Sequence, residues 1–315
     1  MTIRRIVAIL VAVGIFGASN YLASRNPEHR ALDAAAREGV PGKFVTLSDG
    51  VTHYDVAGPD SGARVVLVHG FSVPAYIWDS TALALSAAGF RVARYDTYGR
   101  GYSDRPDTRY DLSLYDRQLQ ELLDALGWRD KVHIVGLSFG GPVSATFAGR
   151  HPERVRSLTL VDPAAGPSRQ LPMMFRIPLL GEPLWQALAV PKMAAGQLSD
   201  FVEPARWPDW PDRYRPQMQY RGFGRSLLRT SLALQTVSLD SVYAAAGRTL
   251  VPTLLVWGKD DQTVPIARAE GVRTAIPQAQ FHPIDNAGHL PQMERTDVVN
   301  PLLIEFLRSV APVTP

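Results

Sequence analysis

Cysteine is absent from the 315-residue sequence. That rules out disulfides, thiolate catalysis, cysteine-ligated metals and a lipid-modified N-terminal cysteine, and leaves the redox compartment open. A dominant charge is absent too: 33 basic residues face 30 acidic ones, a net of +3. The basic residues are scattered rather than gathered into a stripe, so nucleic acid is not an expected partner. There is no internal repeat and no low-complexity tract. Long apolar runs are scarce, with one exception at the N-terminus. Arg4 and Arg5 lead into Ile6–Phe16, and the apolar character continues to Leu22.

A basic head before an apolar stretch is the pattern read by export machinery. The stretch 6–22 is roughly 17 residues, the short limit for crossing a bilayer. Cleavage after Gly17 and Ser19 would leave Asn20 first. Residues 1–22 are therefore read as a membrane anchor or an export signal, with the anchor preferred. Residues 23–42 are polar, rich in alanine and end in Pro41-Gly42, as a linker or a loosely docked helix would.

With 46% apolar and 20% charged residues, the remainder can bury a large core. A strand-then-helix rhythm begins near residue 43. Residues 51–56 alternate apolar and polar side chains, as a half-exposed edge strand does. Short continuous apolar runs at 64–68, 132–135, 157–161 and 253–257 suit strands buried on both faces of a parallel sheet. Helical spacing fills the gaps, for example over 114–126 and 297–310. This alternation predicts an α/β fold with helices on both faces of a mostly parallel sheet. The rhythm breaks at 163–247, a segment too long for a structureless loop. It is read as a helical cap inserted between two core parts, 43–162 and 248–315.

The chemistry concentrates where strands end. Gly136-Leu137-Ser138-Phe139-Gly140 lies between a strand and a helix, and the G-x-S-x-G pattern there forms a sharp turn that presents a serine nucleophile. A serine needs a base. Of the seven histidines, His289 lies in a loop between the last strand and the last helix, from which it can reach Ser138. His29 falls in the linker, His53, His133 and His282 in strands, and His151 at a helix end; His69 reads as structural. The base must be held by an acid. Asp261 follows Trp257-Gly258-Lys259-Asp260, and the order Ser138, Asp261, His289 is the one this type of sheet uses. Asp260 and Asp162 are the alternatives, and Asp285 is assigned to supporting the histidine loop. Backbone N–H groups of Phe71 and Phe139 are the expected oxyanion donors.

These segments, together with Asp96-Thr97-Tyr98-Gly99-Arg100-Gly101-Tyr102-Ser103, resemble those of the α/β-hydrolase superfamily over residues 42–310. The resemblance implies an eight-stranded sheet, a cap over the site, no metal and no organic cofactor. The apolar N-terminus looks like that of membrane-anchored monoacylglycerol-lipase-type members. The expected activity is serine-dependent hydrolysis of a small-molecule or lipid ester through an acyl-enzyme, with membrane association through residues 6–22. A carbon–carbon bond hydrolase or cofactor-free perhydrolase is the alternative, for which Arg176, Arg206 and Arg213 are candidate anion binders. A ligand-binding signalling protein reusing the fold is a third.

Overall fold

Continuous apolar runs become strands covered on both sides. In the computed structural model, which describes residues 2–167 and 170–310, eight strands form one sheet. They are β1 (Lys43–Leu47), β2 (Gly50–Ala57), β3 (Arg64–Val68), β4 (Arg91–Tyr95), β5 (Val132–Leu137), β6 (Val155–Val161), β7 (Thr253–Gly258) and β8 (Gln280–Ile284). Their spatial order is β1-β2-β4-β3-β5-β6-β7-β8. β2 runs antiparallel to both of its neighbours, and all other pairs are parallel. Met1, Ser168, Arg169 and residues 311–315, parts of the expected segments 1–22, 163–247 and 248–315, lie outside the described residues.

Side chains on β3 show how the two cores are divided. Val66 and Val68 pack with Leu119, Leu122, Val143 and Phe147 on one face, whereas Val65 and Leu67 pack with Leu85, Leu303 and Phe306 on the other. This period-two alternation puts helices Leu112–Ala125 and Gly140–Arg150 opposite helices Asp79–Ala87 and Thr296–Ser309. The expected edge strand at 51–56 lies one place further in. β1 pairs outside it through the two-residue turn Ser48-Asp49, which Gly50 closes at a φ of 141°.

Between β6 and β7 the chain forms helices Gly181–Leu188, Trp210–Met218, Phe223–Leu234 and Leu239–Gly247. The last of these packs on Gly140–Arg150 and Ala269–Ala275, so it belongs to the layer covering the sheet. Its Tyr243 is buried and donates its hydroxyl to the Ala164 carbonyl at 2.6 Å. The helix Leu239–Gly247, within the expected 163–247 segment, thus lies against the core helices through its apolar face. At the other end, helix Ile3–Arg25 overruns the 6–22 stretch on both sides. Its most apolar 18-residue window has mean hydropathy 2.1, and none of that window is buried in the body.

Candidate active site

Ser138 follows β5 directly and has φ 51°, a left-handed conformation that a non-glycine residue adopts at a cost of about 1–3 kcal/mol. The turn is possible because its flanks are glycines. A Cβ on Gly136 would fall within 3.0 Å of the Gly140 carbonyl oxygen, and one on Gly140 within 3.0 Å of the Val68 and His69 carbonyl oxygens. Neither clash is with a flexible side chain. Gly140→Ala is therefore expected to destabilise the fold by about 3 kcal/mol. By contrast, Gly271→Ala, whose added methyl meets only Asp240 at 3.8 Å in a helix, should stabilise it by about 0.5–1 kcal/mol. Thermal melts of the two variants check both signs.

The hydroxyl of Ser138 lies 2.8 Å from His289 Nε2, and His289 Nδ1 lies 2.8 Å from Asp261 Oδ2. The other Asp261 oxygen accepts the backbone N–H groups of Thr263 at 2.8 Å and Val264 at 2.9 Å. With the carboxylate so fixed, Nδ1–H donates to Asp261 and Nε2 is left to accept the Ser138 proton. Burial of His289 opposes its protonation. The hydrogen bond and charge of Asp261, with the charge of Asp200 beyond, outweigh that and raise its pKa above the ordinary 6.5. Asp260 is exposed, while exposed Asp285 pairs with Lys259 at 2.5 Å.

Asp162 is drawn to the triad without completing it. It is fully buried, its Oδ1 accepts the Gly258 N–H at 2.8 Å, and its Oδ2 has no partner among the described residues. Burial, and then the adjacent Asp261 charge, push its carboxyl well above the usual range. A carboxyl raised in the native state binds a proton that the unfolded chain has released, so it costs stability as pH rises above about 3.9. Asp162→Asn removes that cost and keeps the Gly258 bond. The melting temperature of this variant should gain on wild type as pH increases, a trend that melts at several pH values will show. Asp162, Asp261 and His289 are the one group of metal-ligand type among the described residues, their donor atoms lying within 4.8 Å of one another. Asp261 and His289 spend those atoms on each other.

The loop after β3 brings Phe71 beside Phe139, ring centroids 6.3 Å apart. Gly70 is the close neighbour of Ser138, since a Cβ there would sit 3.2 Å from the serine Cβ. Among the described residues, neither the Phe71 nor the Phe139 backbone N–H has a hydrogen-bond partner. Two free donors flanking a serine suit an oxyanion. What holds them was not evident from spacing. Arg100, fully buried, donates to the Phe71 carbonyl at 2.7 Å and to Tyr115 Oη and Thr230 Oγ1, so the chain just beyond the Phe71 N–H is held in place. Asp96 accepts the Ala75 N–H at 2.8 Å from the same loop and pairs with His53. His69 bonds to Gly70 and Thr97 and is kept neutral, its pKa lowered to about 4 by burial. Its structural assignment agrees with this geometry.

From the insertion, the Asp200 carbonyl accepts the His289 N–H at 2.9 Å. Buried Glu294 joins the two loops by accepting from Gly288 and Val202, each at 2.7 Å. The cations considered for anion binding are engaged or remote. Arg213 pairs with Asp79 at 2.7 Å and lies over the Tyr76 ring, Arg176 donates to Gln235 at 2.6 Å, and Arg206 is exposed. A cavity of about 440 Å³ is lined by Tyr76, Asp96, Gly101, Arg213 and Gln217, and none of Ser138, Asp261 and His289 lines it.

Comparison with known proteins agrees with this architecture. The family model for the alpha/beta hydrolase fold matches residues 63–296. A 2-hydroxy-6-oxononadienedioate/2-hydroxy-6-oxononatrienedioate hydrolase of Cupriavidus pinatubonensis is 31% identical, over 87% of this chain and 97% of its own. Lipase 1 of Psychrobacter immobilis is 28% identical over 91% of this chain and 90% of its own. The structure of a meta-cleavage product hydrolase from Pseudomonas fluorescens IP01 superposes with a TM-score of 0.71 at 26% identity, covering 86% of this chain and 98% of that one. The chain belongs to the α/β-hydrolase family.

Proposed function

We propose that this hydrolase works through an acyl-enzyme on Ser138 and that the bond it breaks is carbon–carbon, in a substrate whose ketone adjoins a conjugated oxo-acid chain. The mechanism rests on the unbroken Ser138–His289–Asp261 hydrogen-bond line, with free Phe71 and Phe139 N–H groups beside it. The bond type rests on the Cupriavidus relative, aligned across nearly its whole length. His289 takes the Ser138 proton as the hydroxyl attacks the carbonyl, and the oxyanion is held by the two N–H groups. The carbon leaving group departs with the bonding pair, which its conjugated carbonyl accepts, and takes a proton. Water, activated by His289, then releases the acyl group as an acid. The insertion over 163–247 acts as the cap that selects the substrate, and Ile3–Arg25 spans a membrane.

Carboxylic-ester hydrolysis is the second reading, and it would use the same steps with an alkoxide leaving. Two observations favour it. Arg213 is paired with Asp79 and Arg100 is spent on the Phe71 carbonyl, so neither is free to receive an acidic substrate. The chain also carries an exposed apolar helix that suits acyl substrates of low polarity. Parallel assays decide: loss of the dienolate absorbance of 2-hydroxy-6-oxo-6-phenylhexa-2,4-dienoate, the substrate named for a Comamonas testosteroni relative, against release of p-nitrophenol from acetyl to palmitoyl esters. A kcat/KM larger on the dienoate upholds the carbon–carbon reading. Activity confined to esters replaces it with the second.

A further inference from the structure

The N-terminal helix does not leave the body on a loose tether. It packs against Gly181–Leu188 of the insertion. Beyond its last turn, Asn26 bonds to Gln186, and the buried Glu28 carboxylate accepts the Gly222 and Gly224 N–H groups at 2.6 and 2.7 Å. Arg30 then forms a short bridge with Tyr220, exchanging backbone bonds with Gln219 and Arg221 at 2.9 Å. The helix is thus fastened to the insertion and not to the sheet.

The segment just before Gly181–Leu188 carries the densest exposed apolar surface outside that helix. Met173, Leu179 and Leu180 are 72%, 95% and 54% exposed, and Met174 and Ile177 are partly so. The other large exposed apolar residues of the body, such as Leu83 and Leu250, stand singly, which is ordinary for a protein surface. The edge is firmly held: Phe175 packs on Trp185 with centroids 5.1 Å apart, and the Gly181 N–H donates to the Ile177 carbonyl at 2.8 Å. A rigid apolar edge left in water calls for an apolar partner.

We propose that the 173–180 edge seats in the headgroup region of the bilayer that Ile3–Arg25 crosses. This rests on the reading of that helix as membrane-spanning. Its 23 residues extend about 34 Å, close to the ~30 Å of a hydrocarbon core. Tyr21, with Arg25 over its ring at 6.0 Å, marks the end at the body as the interfacial one. Gly181–Leu188 packs against the helix and is continuous with the apolar edge, so the bilayer surface is the occupant within reach. The insertion is thereby anchored twice.

The cysteine-free sequence permits a direct test with single-site fluorophores on the full chain in phosphatidylcholine vesicles. NBD is attached to Val13→Cys, Leu179→Cys and, on the far end of the sheet, Asp130→Cys. Lipid-borne nitroxide should quench most of the emission at positions 13 and 179 and leave 130 to aqueous iodide. Quenching by lipid at 13 with iodide access at 179 overturns the proposal while the spanning helix stands. Iodide access at both overturns the spanning helix and the proposal with it. Lipid quenching at 179 alone upholds an interfacial edge and removes the span.

Discussion

Ser138→Ala is expected to lower kcat by about four to six orders of magnitude while the protein folds and binds substrate as before. In the proposed mechanism the serine oxygen forms the covalent bond, and no other hydroxyl among the described residues is bonded to His289 Nε2. What survives should come from the Phe71 and Phe139 donors and from substrate positioning, which in comparable sites leave about 10³–10⁴-fold over water. The loss should therefore appear in kcat, with KM nearly unchanged, and pre-steady-state release of the first product should vanish. Retained turnover would remove Ser138 from the chemistry, whichever bond is cleaved.

Asp261→Asn is expected to lower kcat by about 10⁴ and to displace the pH profile. An asparagine amide facing Nδ1 makes that nitrogen the acceptor, so the ring proton moves to Nε2, where it blocks uptake of the serine proton. In wild type, His289 acts as base only when neutral, so activity falls as pH drops through its pKa. That pKa is raised above 6.5 against burial by the Asp261 hydrogen bond and charge and by Asp200. Removing the Asp261 charge lowers it, so the acid limb of kcat/KM should move to lower pH even as the maximum collapses. A merely unfolding variant would lose rate without moving the limb.

The hydrogen-bonded line of Ser138, His289 and Asp261 could be picked out before any fold was known because each member sits in a short local pattern. Ser138 is flanked by the glycines its turn requires, Asp261 closely follows β7, and His289 precedes the last helix. Most strands were equally plain as unbroken apolar runs, although β1 hid in five half-exposed residues and took the edge from β2. The supporting groups were not legible, since their partners lie far off in sequence. Arg100 bonds Phe71 directly and is itself braced by Tyr115 and Thr230, and Glu28 meets Gly222 nearly two hundred positions later. Residues 23–42 accordingly read as a linker or a loosely docked helix, and part of them is bonded into the insertion. No periodicity encodes such tertiary pairings. They follow from which polar groups are left to satisfy once the apolar surfaces have closed.

The insertion also sets a clock on synthesis. About ninety residues separate the end of β6 from the start of β7, and at 5–20 residues per second a ribosome needs on the order of ten seconds to make them. During that interval the side of β6 that β7 will cover offers unpaired backbone groups beside apolar side chains. Another nascent chain can pair there as readily as β7 can. The yield of folded enzyme is then governed less by its final stability than by what shields this one strand edge while the insertion is being made.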